Sequence, residues 1–283
     1  MACHLASSGT SELANGAILI QQVGLMLKAQ VDPLIVMATA QILFQRFWFV
    51  TSLKHFGIRD IGLGALFLAS KLEESPIRIR DLINCYAYLL EFIAHQGRQP
   101  TTTSTPLPSD YVPMDYFASS FYDTKDALVV AEMQLLKRLG FQTQSNLPYG
   151  HLVNYLKVLE LTSYPELVKQ SWGYANDMLQ TPSPALYPPS TLAVAAIYLA
   201  TRKHDPPIAL PLVPEPWWVL FDATEEDVVD VCTRLLDLYR QWKLDAFGDA
   251  DQAGIWKVCA KLPHDKQGVR DLIEVATARN NNA

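Results

Sequence analysis

Apolar positions along this chain recur every three to four residues, the period of a helix lying on a core. Ile18–Ala29 is the first such stretch. Asp32-Pro33 then reads as an N-cap followed by proline at the first helical position. The helix it opens reaches about Val50, with Val36, Ala40, Leu43, Phe47 and Val50 on one stripe. A third helix, about Asp60–Glu74, is apolar nearly all round and belongs at the centre of a bundle. Pro76 separates it from a fourth, about Ile77–Ala94, and Gly140 stops a fifth, about Tyr122–Leu139. Helical spacing returns at Leu147–Leu161, Pro165–Gln180, Pro189–Arg202 and Thr224–Trp242. Thr224 with Asp227 resembles a capping box. Alternating β-branched runs are few and no Asn-Gly hairpin signal joins them, so the pattern predicts an all-α protein without a sheet.

The plan repeats. Ala65-Leu66-Phe67-Leu68-Ala69-Ser70-Lys71 matches Ala196-Ile197-Tyr198-Leu199-Ala200-Thr201-Arg202, and each run is the buried central helix of its half. Within the first half, between its fourth and fifth helices, residues 97–115 are rich in Thr, Ser and Pro and predict a flexible surface loop.

Composition narrows the function. The chain has 283 residues, 49% hydrophobic and 18% charged, enough for packed cores. Its net charge of −6 argues against a broad nucleic-acid footprint. Met1–Leu13 lacks a basic patch followed by an apolar run, so it does not read as a signal peptide. Ile18–Leu27 is too short to span a bilayer, and prolines break Met178–Thr201. The expectation is a soluble intracellular protein. Cys3, Cys85, Cys232 and Cys259 form no CxxC pair, which fits a reducing compartment. No GxGxxG, P-loop, GxSxG or HExxH occurs, and the six histidines share no metal-ligand spacing. No catalytic residue, metal or cofactor is expected. Glu73-Glu74 and Glu225-Glu226 read as solvated helix ends, since adjacent helical residues do not share a face.

Two charges interrupt apolar stripes. Glu132 falls in line with Leu128, Leu135 and Leu139, and Lys71 shares a face with Gly64, Phe67 and Leu68. Burying either charge is costly without a partner. One reading is a snorkelling Lys and a stripe-edge Glu, both in water. The other is that they face each other across an apolar surface that receives a partner. The second half has Arg202 and Cys232 in their places.

Ala69-Ser70-Lys71-Leu72-Glu73-Glu74 resembles the central-helix signature of a cyclin box, and Glu132 through Phe141 resembles the last helix of that box. Met37 through Phe47, Lys71 through Ile83, and Trp217 through Glu226 resemble the L-type cyclins of the transcription and splicing branch. The likeness spans about residues 15–243. It implies two tandem five-helix cyclin boxes, at 15–145 and 146–243, between a flexible N-terminus (1–14) and a C-terminal extension (244–283). It implies a regulatory subunit that binds and activates a cyclin-dependent kinase, in RNA polymerase II transcription or pre-mRNA processing, in the nucleus. The kinase would be gripped by Lys71 and Glu132, with apolar contacts from Leu68, Leu72, Leu136 and Phe141. No direct nucleic-acid or membrane partner is implied.

The chain also departs from the family. Where cell-cycle cyclins carry a Met-Arg-Ala-Ile-Leu docking patch, it has Asn15-Gly16-Ala17-Ile18-Leu19, with Gln22 at the nearby Trp position. Substrate docking there is not carried over. Arg78 and Arg80 read either as a solvated face or as a contact for an acidic partner. Trp217, Trp218 and Phe221 read as core, or as a patch for a second partner. The same fold also serves DNA-binding transcription factors and peptide-binding pocket proteins, which is the alternative reading.

Overall fold

A computed structural model describes residues 7–27, 33–98, 112–245 and 267. Among them there are helices and turns and no strand. The chain forms two compact units: the second is Ser145–Gln241, and the first groups the residues up to Gln144 with those from Trp242 on.

The first unit holds α1 (Ser7–Met26), α2 (Pro33–Val50), α3 (Ile58–Leu72), α4 (Ile79–Arg98) and α5 (Ser119–Arg138). Helix α3 is the hub. All eleven of its residues from Ile58 to Ser70 other than Arg59 and Asp60 are buried, as an all-apolar helix requires. Around it pack Leu19, Ile20, Val23, Leu43, Phe44, Phe47, Leu82, Tyr86, Leu128 and Leu135. Gly64 sets how closely α3 and α5 approach. A Cβ there would lie 2.9 Å from Ala131 Cβ and 3.1 Å from the Glu132 backbone N. Only glycine lets the two backbones come this close.

Both helices end in the same way. After α5, Gly140 N–H donates to Lys137 C=O and Phe141 N–H to Leu136 C=O. After α3, Glu74 N–H donates to Lys71 C=O and Ser75 N–H to Ser70 C=O. Each is a Schellman closure with a left-handed residue just past the cap. Gly140 takes that position at φ 59°, and Glu74 takes it at φ 51° without glycine's freedom.

Several boundaries differ from the sequence pattern. Helix α1 begins at Ser7 rather than Ile18, and Leu13 and Ala14 are buried, so residues 7–14 are not a flexible tail. Helix α4 continues through Gly97 and Arg98, the first two residues assigned to the loop. Most of that loop, together with residues 1–6, Lys28 to Asp32 and nearly all of the C-terminal extension, lies outside the described residues.

The second unit holds α6 (Tyr149–Val158), α7 (Pro165–Met178), the single-turn α8 (Ser183–Leu186), α9 (Pro189–Lys203) and, as far as Gln241, α10 (Glu225–Asp245). Helix α9 repeats the role of α3, with Leu192 to Ile197, Ala200 and Thr201 buried. Asp227 N–H donates to Thr224 Oγ1 at 3.2 Å, which caps α10. Trp217, Trp218 and Phe221 sit in a 3₁₀ turn and are buried. Phe221 stacks on Tyr155 with ring centroids 3.9 Å apart. The aromatic run is therefore core, and Val219 and Leu220 are what that turn exposes.

Candidate docking site

The hub helix and α5 bring together the two charges singled out in the sequence. Lys71 Nζ donates to Glu132 Oε1 at 2.7 Å and to Oε2 at 3.0 Å. The Glu132 side chain is 14% exposed and that of Lys71 47% exposed. The carboxylate is thus held near the α3–α5 seam while the ammonium stands half in water. Lys71 Nζ also lies 4.0 Å from the centroid of the Phe67 ring, one turn back on the same helix. The ring and the carboxylate fix the ammonium between them. These two charges are neither independent surface charges nor stranded in the core. They form one pair at the rim of an apolar seam.

The apolar residues expected around the pair divide. Leu72 is 39% exposed and Phe141 71% exposed. Phe141 follows Gly140 in a second left-handed conformation at φ 61°, which carries its ring away from the core at some cost in strain. Leu136 is half-buried against the core. Leu68 is 4% exposed. On α3 it turns into the core. It supports the face from behind.

Sequence reasoning missed a neighbour of the pair. Glu73, read as a solvated helix end, accepts a hydrogen bond from Thr39 Oγ1 at 2.7 Å. Thr39 is buried on α2, so this bond ties the end of α3 to the adjacent helix. No helical period reports a bond between residues so far apart in sequence. Arg46 Nη1 likewise donates to Gln144 C=O at 3.0 Å and fastens the segment beyond Phe141.

The other candidate surfaces look different. Ala17, Ile18 and Leu19 are buried, so the residues left from the cell-cycle docking patch are core. Arg78 and Arg80 are exposed, and Arg80 lies 5.9 Å from the Tyr116 ring centroid. Among the described residues no cluster of three His, Cys, Asp or Glu side chains could hold a metal ion. None of the described helices is long and apolar enough to cross a membrane.

An all-helical fold of two halves, each built on a buried central helix, is the cyclin fold. The cyclin N-terminal domain profile matches residues 21–144. Human cyclin-L2 is 37% identical over 234 residues, covering 81% of this chain and 40% of that protein. Zebrafish (Danio rerio) cyclin-L1 is 36% identical over 225 residues, covering 79% of this chain and 41% of that protein. The chain spans about two-fifths of the length of these curated relatives. Among solved structures, a chain of the yeast RNA Pol II CTD kinase CTDK-1 complex aligns with a TM-score of 0.60 at 15% identity, covering 95% of this chain and 76% of that one. A chain of the Chaetomium thermophilum CAK complex aligns with a TM-score of 0.51 at 16% identity, covering 96% and 79%. The chain belongs to the cyclin family, and its relatives within it include the L-type cyclins.

Proposed function

We propose that this chain is the regulatory subunit of a cyclin-dependent serine/threonine kinase and supplies no catalytic group of its own. The first half, residues 15–145, is the docking body and 146–243 the second box. The observation that carries the reading is the Lys71–Glu132 pair, held at the α3–α5 seam with Leu72 and Phe141 exposed on the same two helix ends. Such a pair presents donors and an acceptor to the backbone groups of a docked helix, with apolar side chains beside them to exclude water.

The mechanism is a population shift. A protein kinase is active only when the Lys of its strand β3 pairs with the Glu of its helix αC. A free kinase samples αC both inward and outward. A subunit that binds the inward state alone raises its population by its differential affinity. Lys71 and Glu132 would grip αC, and Leu136, Leu72 and Phe141 would pack against it. The likeness to L-type cyclins supports a kinase of RNA polymerase II transcription or pre-mRNA processing, and a nuclear location.

The test is capture of the native protein with mass spectrometry of the bound kinase. Phosphorylation of a peptide substrate is then measured with that kinase alone and with the purified chain added. A co-purifying kinase whose rate rises on addition supports the reading. No bound kinase, a bound kinase with unchanged rate, or phosphate transfer by the chain alone overturns it.

A further inference from the structure

The second half repeats the docking face with one element exchanged. Arg202 on α9 occupies the place of Lys71 and is exposed. It lies 5.2 Å from the Tyr198 ring centroid, as Lys71 lies over Phe67. Helix α10 repeats α5. Val228, Val231 and Leu235 are buried like Leu128, Ala131 and Leu135. Cys232 stands in the place of Glu132, buried, with its thiol 3.8 Å from Ala195 C=O. On a helical wheel Val229 and Leu236 lie within about 60° of Cys232, on the side away from the core residues. Both are open to solvent, at 50% and 51%. An apolar stripe therefore flanks the α9–α10 seam, with a cation at its edge.

The difference lies in the carboxylate. In the first half Glu132 neutralises Lys71 within the chain. Among the described residues Arg202 has no ion-pair partner. We propose that the α9–α10 face, centred on Arg202, Val229 and Leu236, is a second docking surface, and that its partner is an amphipathic helix of another protein that carries an acidic residue. The apolar side of that helix covers Val229 and Leu236. Its carboxylate gives Arg202 the partner that Cys232 does not, and a guanidinium over an aromatic ring suits a bidentate contact. This rests on the docking reading of the first half, of which the face is the repeated copy.

The full chain is tested with a phage-displayed library of amphipathic helices, first depleted on Leu236→Asp protein and then selected on the wild type. The best binders are synthesised, and their affinities for wild type, Leu236→Asp and Arg202→Glu are measured by fluorescence anisotropy. Both substituted sites are exposed, and melting curves check the fold. Should Leu236→Asp melt early, Val229→Asp takes its place in the depletion. Selected helices that carry Asp or Glu beside an apolar anchor, and that bind Arg202→Glu at least about tenfold more weakly, support the proposal. Selected helices without an acid, affinities unchanged by Arg202→Glu, no helix surviving depletion, or a wild-type dimer abolished by Leu236→Asp each overturn it. Kinase binding by Lys71→Ala is measured in parallel, so failure of the first docking site is seen separately.

Discussion

Helices α3 and α9 carry the same buried run at the centre of their units, yet only α3 ends in a closed ion pair. Both place a cation above an aromatic ring one turn back. The neighbouring helix then offers Glu132 in one unit and Cys232 in the other. The same packing scaffold accepts either residue at that position. The fold therefore does not require the carboxylate, and its presence in the first half calls for a reason outside folding. A half-exposed ion pair contributes only about 0–1 kcal/mol to stability, too little to account for a charge in an apolar stripe. The proposed kinase contact would supply that reason.

The largest effect that would break this contrast is on kinase affinity. Lys71→Ala or Glu132→Ala should weaken binding by about 2–5 kcal/mol, the range for truncating one side of a desolvated charged contact. Thermal melting should shift little for either. Arg202→Ala, with no carboxylate opposite it, should cost far less kinase affinity. Titration calorimetry of the three variants decides it. Equal losses in both halves, or none in either, would mean that the pair is only a surface contact.

Next in size is the closeness of the seams. Gly64→Ala puts a methyl 2.9 Å from Ala131 Cβ and 3.1 Å from backbone. The helices must part, at a cost of about 1–3 kcal/mol that alanine's better helix propensity offsets by about 1 kcal/mol. Because the shift separates Lys71 from Glu132, kinase binding should fall along with stability. In the second half the matching residue is already Ala195, buried beside Cys232. Ala195→Gly should cost stability by about 1 kcal/mol through propensity and leave kinase affinity alone. Denaturant melts with affinity measured alongside separate the two outcomes.

The Cys232 thiol gives the contrast a pH signature. Burial pushes its pKa up to about 12 from an ordinary value of 9.0. Below pH 9 both folded and unfolded states hold the proton, so nothing is lost. As pH rises from 9 to 12 the unfolded chain releases the proton first, and this part of the stability is lost. Cys232→Ser should remove that alkaline fall, seen as a flatter melting temperature between pH 9 and 11 relative to wild type. Iodoacetamide should modify Cys232 in denaturant and spare it in the folded protein, because the thiolate is the reactive form.

Much of this was legible in the sequence, and the physical reason is local. The helices with strong apolar periods were found. So were the Pro33 and Thr224 starts and the Gly140 stop, because each depends on residues within one or two turns. The displacement of Lys71 and Glu132 from the pattern was visible in the same way. What escaped depends on packing between distant segments. Ser7 to Leu13 has few apolar residues, and its helicity follows from burial of Leu13 and Ala14. The Thr39–Glu73 bond and the Gly64 approach join helices that no period connects. Leu68 stands among the kinase contacts only by family resemblance, whereas the all-round burial of α3 turns it inward.

The smallest expected effect concerns how the central helices end. Glu74 closes α3 at φ 51°, a conformation that costs a residue with a Cβ about 1–2 kcal/mol. Glycine adopts it freely but loses more backbone entropy on folding. The difference leaves Glu74→Gly stabilising by about 0.5–1 kcal/mol. Helix α9 ends differently. Its cap, His204, is extended at φ −60° and ψ 145°. Asp205, which follows Arg202 at the distance that separates Glu74 from Lys71, is not among the described residues with positive φ. Asp205→Gly therefore gains nothing from relieved strain and should lower stability slightly through the unfolded chain's added freedom. Opposite signs for the two substitutions in chemical denaturation would show that the left-handed closure belongs to the first half alone, where it terminates the helix just beyond Lys71. Equal signs would show that the two helix ends are energetically alike, and that the strain at Glu74 has no part in holding the docking face.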